Sequence, residues 1–367
     1  MTADVPSLLI ESMATNSCGP VPAEACCDQA LMKLAAFERA RIAERAELYR
    51  RHNAVFAEWA RGLSVIEHSD LTQVRIFELA EALEKQKAVP NETWVFEKLI
   101  AADRLTSAAM WLVVHMTYAR KIDLSGRDLE ADDFKAAPEG HTGGSLNMVP
   151  AYAGYFTANL LTATTRSWIM GQGHCVAAIE AVNTVAGNLS AEQRDRYAFT
   201  NEGLSHLVAD FYSYAMRPDG SPAAPIGSHV NAHTAGGISE GGYLGFVEVQ
   251  YVHMPLRGES LVAFLSDGAF EEQRGSDWAP RWWRAEDSGA VMPIMMLNGR
   301  RIEQRSEVTQ DGGADWLRSH LRQNGFDPID IDGRDPAAIA WAIIEMESRL
   351  ATSAEAIAAG ELRYPVP

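Results

Sequence analysis

Two short apolar runs constrain this chain more than any other feature: LVAFL at residues 261–265 and VMPIMML at residues 291–297. Each is continuous rather than alternating and too short for a core helix, the pattern of a strand buried on both faces of a parallel sheet. Each ends in a polar turn, Ser266-Asp267-Gly268 after the first and Asn298-Gly299-Arg300 after the second. Ligands of open α/β sheets bind beyond the carboxyl ends of the strands, so both turns are expected to face one site. Asp267 brings a carboxylate, Asn298 an amide oxygen and Arg300 a backbone carbonyl. Three hard oxygens, completed by the phosphates of a ligand, suit Mg²⁺ or Ca²⁺. Gly268 lets the backbone come close to a diphosphate, and the amides that follow, Ala269 first, can donate to it. Asp-Gly and Asn-Gly are also the commonest tight-turn dipeptides. The pairing of the two turns, 31 positions apart, therefore carries the reading rather than either turn alone.

A chain of 367 residues has room for one large α/β domain with additions, or for two modest domains. Its 49 acidic residues against 32 basic ones give a net charge of −17, which argues against nucleic acid or an anionic membrane as partner. A phosphorylated substrate stays open, because a local group of Arg, His and a metal ion binds phosphate. Cys18, Cys26, Cys27 and Cys175 show no CxxC or metal-ligand spacing and read as free thiols of a reducing cytoplasm. No basic-then-apolar leader and no uninterrupted apolar run of membrane-spanning length is present, so a cytoplasmic protein is expected.

Residues 1–27 read as an irregular arm. Residues 28–61 are helical, with Leu31, Leu34, Ala35, Phe37, Ile42, Leu48 and Tyr49 as the apolar face. Helices follow over residues 72–87 and 91–119, the second with Asn91 as N-cap. Residues 108–116 are apolar all round and expected to be buried, with His115 a core histidine. Residues 139–145, EGHTGGS, form a loop at the mouth of a site, before a helix over 148–161. A strand at 166–170 leads through a glycine-rich turn, GQGH, to a helix ending at Ala186. Added helices occupy 190–216, a Pro/Gly loop 217–225, and a second glycine-rich run, 236–245, enters a helix to His253. Beyond Arg300 come a helix at 313–323, a strand at 326–331, a helix at 336–353 and a strand at 362–366. The predicted fold class is α/β, a mostly parallel sheet flanked by helices and joined by right-handed crossovers. It occupies residues 101–367, with a helical N-terminal extension over residues 1–100.

His141, His174 and His229 each stand in a glycine-bounded loop ahead of a helix. Such a turn places a histidine above a helix N-terminus, beside a bound anion. A ring of imidazoles orients the hydroxyls of a sugar and shuttles protons near neutral pH. Zinc on the same three is disfavoured by their wide separation and lack of short ligand spacing. His233, four residues past His229, reads as loop structure.

In this order the motifs resemble the N-terminal, pyrophosphate-binding domain of the thiamine-diphosphate-dependent transketolase and phosphoketolase enzymes, most closely phosphoketolase. Gly140-His141, Gly173-His174 and Ser228-His229 match the three loop histidines, and Glu240-Gly241-Gly242-Tyr243-Leu244-Gly245 resembles EGGELG. The stretch from Gly289 to Gly299 is similar to the phosphoketolase sequence GAVLPILHLNG. The Asp267–Asn298 pair matches the thiamine-diphosphate fingerprint, with Ser266 where the family has its first glycine. Ser239 and Tyr243 replace a histidine and a glutamate of phosphoketolase, and His141-Thr142-Gly143-Gly144-Ser145 is closer to the loop of two-subunit transketolases.

The resemblance implies thiamine diphosphate and Mg²⁺ (or Ca²⁺) as cofactors. It implies Asp267, Asn298 and the Arg300 carbonyl as metal ligands, and Gly268, Ala269 and Gly173 beside the cofactor. The backbones of Gly242 and Leu244 would lie against its aminopyrimidine, and His141, His174 and His229 would act on the substrate. The reaction implied is C2–C3 cleavage of a ketose phosphate such as xylulose 5-phosphate or fructose 6-phosphate. Transketolase-type glycolaldehyde transfer, xylulose 5-phosphate epimerisation and a non-catalytic degenerate cofactor domain are the alternatives. In this family a glutamate of a separate pyrimidine-binding domain activates the cofactor, and no second run of strands offers that domain here. The expectation is a partner domain from the rest of the polypeptide or a second subunit, in a homodimer or split heteromer, with this chain inactive alone.

Overall fold

The two apolar runs pair with each other. Strands β2 (Ser260–Ser266) and β3 (Ala290–Met296) lie parallel, with Ser260 opposite Ala290 and Ser266 opposite Met296. Strand β1 (Ser167–Met170) flanks β2 on the other side, also parallel, giving the order β1-β2-β3. The computed structural model describes residues 29–170, 175–221, 260–268, 290–301, 304–306, 313–323 and 325–361. The N-terminal arm, Cys18, Cys26, Cys27, the run 236–253 and the expected strand at 362–366 lie outside the described residues. Among the described residues β3 is an outer strand, which accommodates Pro293, a residue with no N–H to give to a further neighbour.

Successive residues of β2 point to opposite faces, and both faces are covered. Val262 and Phe264 join the main core, and Leu261, Ala263 and Leu265 pack with Val291, Leu317 and Phe326. This two-sided burial is why the run carries no polar alternation. The small hairpin of β4 (Arg300–Arg301) and β5 (Gln304–Arg305) follows β3.

Ten of the helices used here are α1 (Gln29–Met32), α2 (Ala36–His52), α3 (Ala54–Trp59), α4 (Asp70–Lys85), α5 (Glu92–Tyr118), α6 (Thr142–Thr162), α7 (Val176–Ala186), α8 (Ala191–Arg196), α9 (Asn201–Asp210) and α10 (Gly313–Gln323). The last is α11 (Pro336–Ala358). Asn91 caps α5 by accepting from the amide of Trp94. Phe56, Trp59, Phe77, Phe96 and Leu99 form a separate aromatic-rich cluster that also takes in Leu161 of α6 and Ala337 of α11. Helix α5 carries the chain from that cluster into the main core, where it packs on α6 and α7. On length and composition α5 is apolar enough to cross a bilayer, yet 56% of its apolar window is buried inside the fold. His115 on it bonds the Trp111 carbonyl through Nδ1 at 2.8 Å, as a core histidine does, and burial lowers its pKa. Val114, on the same stretch, is partly exposed.

Three expectations need correction. The helix over 28–61 is broken at Lys33–Ala35 and at Asn53, whose side chain accepts from Val55 and Phe56 to start α3. Phe37 and Leu48 are 65% and 62% exposed. At about 100° per residue they fall roughly opposite Ala46, the buried residue of α2, so the inward stripe is narrower than the apolar content suggested. Residues 326–331 form no strand beyond a single bridge at Phe326. Pro328 removes one donor there, and Asp327 and Asp330 turn outward to pair with Arg349 and Arg318.

Helices α6 and α11 touch at Gly154, where an added Cβ would lie 2.7 Å from both Ile339 Cβ and the Pro336 carbonyl. Gly154→Ala should therefore destabilise the protein by about 1–3 kcal/mol despite the better helix propensity of alanine. A denaturation midpoint equal to the parent's would show that the helices can separate.

Candidate functional site

Three parallel strands have all their carboxyl ends on one edge, and the chain leaves that edge at Met170, Ser266 and Met296. Ser266 ends β2 in paired, extended backbone and is not among the residues with positive φ, so the serine sits there without strain. Asp267 follows it and is fully buried. Its carboxylate accepts from the Gly268 amide at 3.0 Å, from the Gly299 amide at 2.9 Å and from Ser306 Oγ at 2.9 Å. The aspartate after one strand thus grips the Asn298-Gly299 turn after the other. Gly299 takes φ 74°, a left-handed turn that aims its amide at the carboxylate. Asn298 itself is exposed beside this bond, with its own amide bonded to the Met296 carbonyl at 3.0 Å.

The Gly268 and Gly299 amides and the Ser306 hydroxyl are all uncharged donors to Asp267. Burial pushes its pKa up, opposed by the bonds from Ser306, Gly299 and Gly268. The backbone amide of Asp267 itself also bears on the carboxylate, so its roughly four lone-pair positions are met from within the fold. A buried carboxylate with no opposing charge among those donors suits a divalent cation held with phosphate oxygens. Ser306 had no signal in the sequence: it stands in a polar stretch after the hairpin and reaches Asp267 across 39 positions.

A second group of residues gathers where α6 and α7 begin. His141 is the N-cap of α6, which begins at Thr142 rather than near Met148 as expected. The glycines read as loop are its first turn. Gly144 tolerates no side chain, because an added Cβ would strike the His141 ring and come within 2.7 Å of Cys175 Sγ. Cys175, at the head of α7, is buried, and burial raises its thiol to about 12. Tyr212 packs its ring over Gly140, with a left-handed backbone of its own at φ 61°. Tyr214 donates its hydroxyl to Glu139 at 2.8 Å. The FYSY segment that supplies both tyrosines was read only as part of an added helical region. His141, Asp267, Gly268, Asn298 and Arg300 are thus placed, whereas Gly173, His174, His229, His233, Gly242, Leu244 and Ala269 lie outside the described residues.

The family described as "XFP N-terminal domain" matches residues 95–358. A "Probable phosphoketolase" of Schizosaccharomyces pombe is 30% identical over 220 residues, 57% of this chain and 25% of that protein. "Probable phosphoketolase 2" of Lactiplantibacillus plantarum is 26% identical, over 66% of this chain and 29% of its own length. For a "Probable phosphoketolase" of Mycolicibacterium paratuberculosis the values are 28%, 72% and 33%. The chain spans about a quarter to a third of the length of these curated relatives.

Proposed function

The chain belongs to the XFP N-terminal domain family, and from that premise we propose that it is the diphosphate-holding part of a thiamine-diphosphate enzyme that cleaves a ketose phosphate between C2 and C3. The observation that carries the reading is the buried Asp267 carboxylate bonded to the Gly299 amide, which ties the tips of β2 and β3 into one polar site. Asp267, Asn298 and the Arg300 carbonyl hold Mg²⁺, and Gly268 and Ala269 present amides to the diphosphate. Among the described residues no three His, Cys, Asp or Glu side chains cluster as a metal site. The metal site proposed here needs only one carboxylate, with amide, carbonyl and phosphate oxygens completing the shell. When bound, thiamine diphosphate supplies the nucleophilic carbon for the cleavage. Gly173 lies beside the cofactor, and the Gly242 and Leu244 backbones position its aminopyrimidine. His141, His174 and His229 bind and orient the sugar oxygens. The carboxylate that activates the pyrimidine comes from a separate pyrimidine-binding domain, in the same polypeptide or a second subunit, within a cytoplasmic dimer or heteromer.

The assembled enzyme incubated with xylulose 5-phosphate and inorganic phosphate should yield acetyl phosphate. Product that appears only when an aldose acceptor is added would favour the transketolase reading, which the His141-to-Ser145 loop motivates. No calorimetric binding of thiamine diphosphate with Mg²⁺ would leave a non-catalytic scaffold.

A further inference from the structure

Lys135 lies shortly before the Glu139-Gly140-His141 loop, in a short antiparallel contact between the chain leaving α5 and the chain leading into α6. Its amide donates to the Tyr118 carbonyl at 2.8 Å, and the Arg120 amide donates to the Asp133 carbonyl at 2.7 Å. Its Nζ donates to the Met116 carbonyl at 2.7 Å and to the Phe211 carbonyl at 2.8 Å. The first belongs to the last turn of α5, where carbonyls lack helical partners, and the second to the residue that caps α9. A lysine near a helix C-terminus satisfies such carbonyls. Here one amine serves two helices. We propose that Lys135 is a positioning residue for the site: by tying the ends of α5 and α9 together it fixes segment 211–214, which in turn holds Glu139-Gly140-His141 in place for the bound ketose phosphate. The assignment deepens the proposed function and rests on it for the identity of the ligand.

The path from the amine to the loop is short. Phe211 is fully buried, and Tyr212 and Tyr214 just after it take left-handed φ values of 61° and 55°. Bulky residues keep that backbone only where their surroundings impose it. The bond to the Phe211 carbonyl fixes the point from which the segment departs. Tyr212 lies over Gly140, where an added Cβ would come within 2.3 Å of its ring, and Tyr214 donates to Glu139 at 2.8 Å. Thr142 Oγ1 in turn donates at 3.0 Å to Thr117 Oγ1, next to Met116 on α5. The contacts that hold residues 139–142 therefore run back to the two helix ends that Lys135 joins. Burial lowers the Lys135 pKa to about 8, opposed by Glu139. A neutral amine keeps two N–H groups, one for each carbonyl, so both bonds outlast loss of the charge.

The test is amide hydrogen exchange of the assembled protein. Two amides report on the path: Ser213, bonded to the Asp210 carbonyl, and Gly144, bonded to His141 Nδ1. In Lys135→Met, which removes the donors, both should exchange roughly tenfold faster than in the parent, while the Trp94 amide at the start of α5 is unchanged. Lys135→Arg, which keeps donors for both carbonyls, should exchange more slowly than Lys135→Met. Lys135→Met should also raise KM for xylulose 5-phosphate several-fold, with kcat and thiamine diphosphate retention near the parent's. Unchanged exchange at Ser213 and Gly144, or acceleration shared by Trp94, would overturn the proposal, as would faster exchange with an unaltered KM. If Lys135→Met does not fold, Tyr214→Phe cuts the same path at its far end. It should speed Gly144 exchange and raise KM, and parent-like values of both would equally overturn the proposal. A parent that forms no acetyl phosphate would remove the proposed function, whereas the exchange rates decide separately whether Lys135 holds the loop.

Discussion

Asp335→Ala should destabilise the protein by about 3–5 kcal/mol, the cost of stranding a buried charge. His68 lies before α4 with its side chain sealed from solvent, Nδ1 3.0 Å from Asp335 Oδ2 and Nε2 3.0 Å from Asp103 Oδ2. Both nitrogens face carboxylates and the ring stacks on Trp59 at 4.1 Å, so the favoured state is an imidazolium. Burial lowers the His68 pKa, but Asp335 and Asp103 outweigh it and raise the value from 6.5 to about 10. Asp335 is the stronger partner. Its other oxygen accepts from the Ala337 and Ala338 amides at the start of α11, whereas Asp103 Oδ1 has no hydrogen-bond partner among the described residues and burial raises Asp103 to about 6. The triad therefore joins the segment before α4 to α5 and to the long C-terminal helix. Because the His68 value is raised on folding, its contribution is complete below pH 6.5 and is lost as pH rises through about 10. Urea midpoints of parent and Asp335→Ala should accordingly be far apart at pH 6.5 and converge towards pH 10. A gap that stays constant over that range would rule out the imidazolium, and a gap under about 1 kcal/mol at pH 6.5 would rule out the buried pair.

What could be read in the sequence and what could not divides along a physical line. Strands β2 and β3 were legible because burial on both faces leaves an unbroken apolar run, and helix α10 because its stripe repeats with the helical period. That the turns after β2 and β3 meet was legible because topology puts adjacent parallel strand ends on one edge, whatever the residues between. Residues 326–331 deceived because a short mixed segment gains strand character only from a neighbour, and here its aspartates found arginines instead. The His68 triad was invisible because its partners stand 35 and 267 positions away. The one available hint was Asp103, an acid on the same face of α5 as Leu99 and Thr106, where neighbours at that spacing are buried. His141 was singled out for the glycines around it, but its role as a cap was missed. Glycines suggested a loop, whereas Gly144 is there because the histidine ring occupies the space of a side chain.

The same buried-charge logic makes Asp267 the most consequential residue of the proposed site. Asp267→Ala should lose Mg²⁺-dependent retention of thiamine diphosphate by more than the roughly 10–100-fold that outer partners of a metal site cost. It also removes the acceptor for the Gly268 and Gly299 amides and for Ser306, three donors left in a buried place at about 1–3 kcal/mol for each that finds no water. Loss of binding and loss of structure must therefore be separated. Asp267→Asn keeps one oxygen to accept a hydrogen bond but gives up the charge. If the carboxylate is a metal ligand, titration calorimetry should show the asparagine form folded and yet as deficient in cofactor retention as the alanine form. Excess Mg²⁺ should fail to restore it. Burial raises the Asp267 pKa in the folded protein, so ionising it costs stability as pH rises from 3.8 through the folded value. Removing that charge should leave Asp267→Asn about as stable as the parent near neutral pH without metal, while added Mg²⁺ and cofactor stabilise only the parent. An asparagine form that melts with the parent and still retains the cofactor would show that Asp267 serves only to join the two strand tips, with the cation held elsewhere.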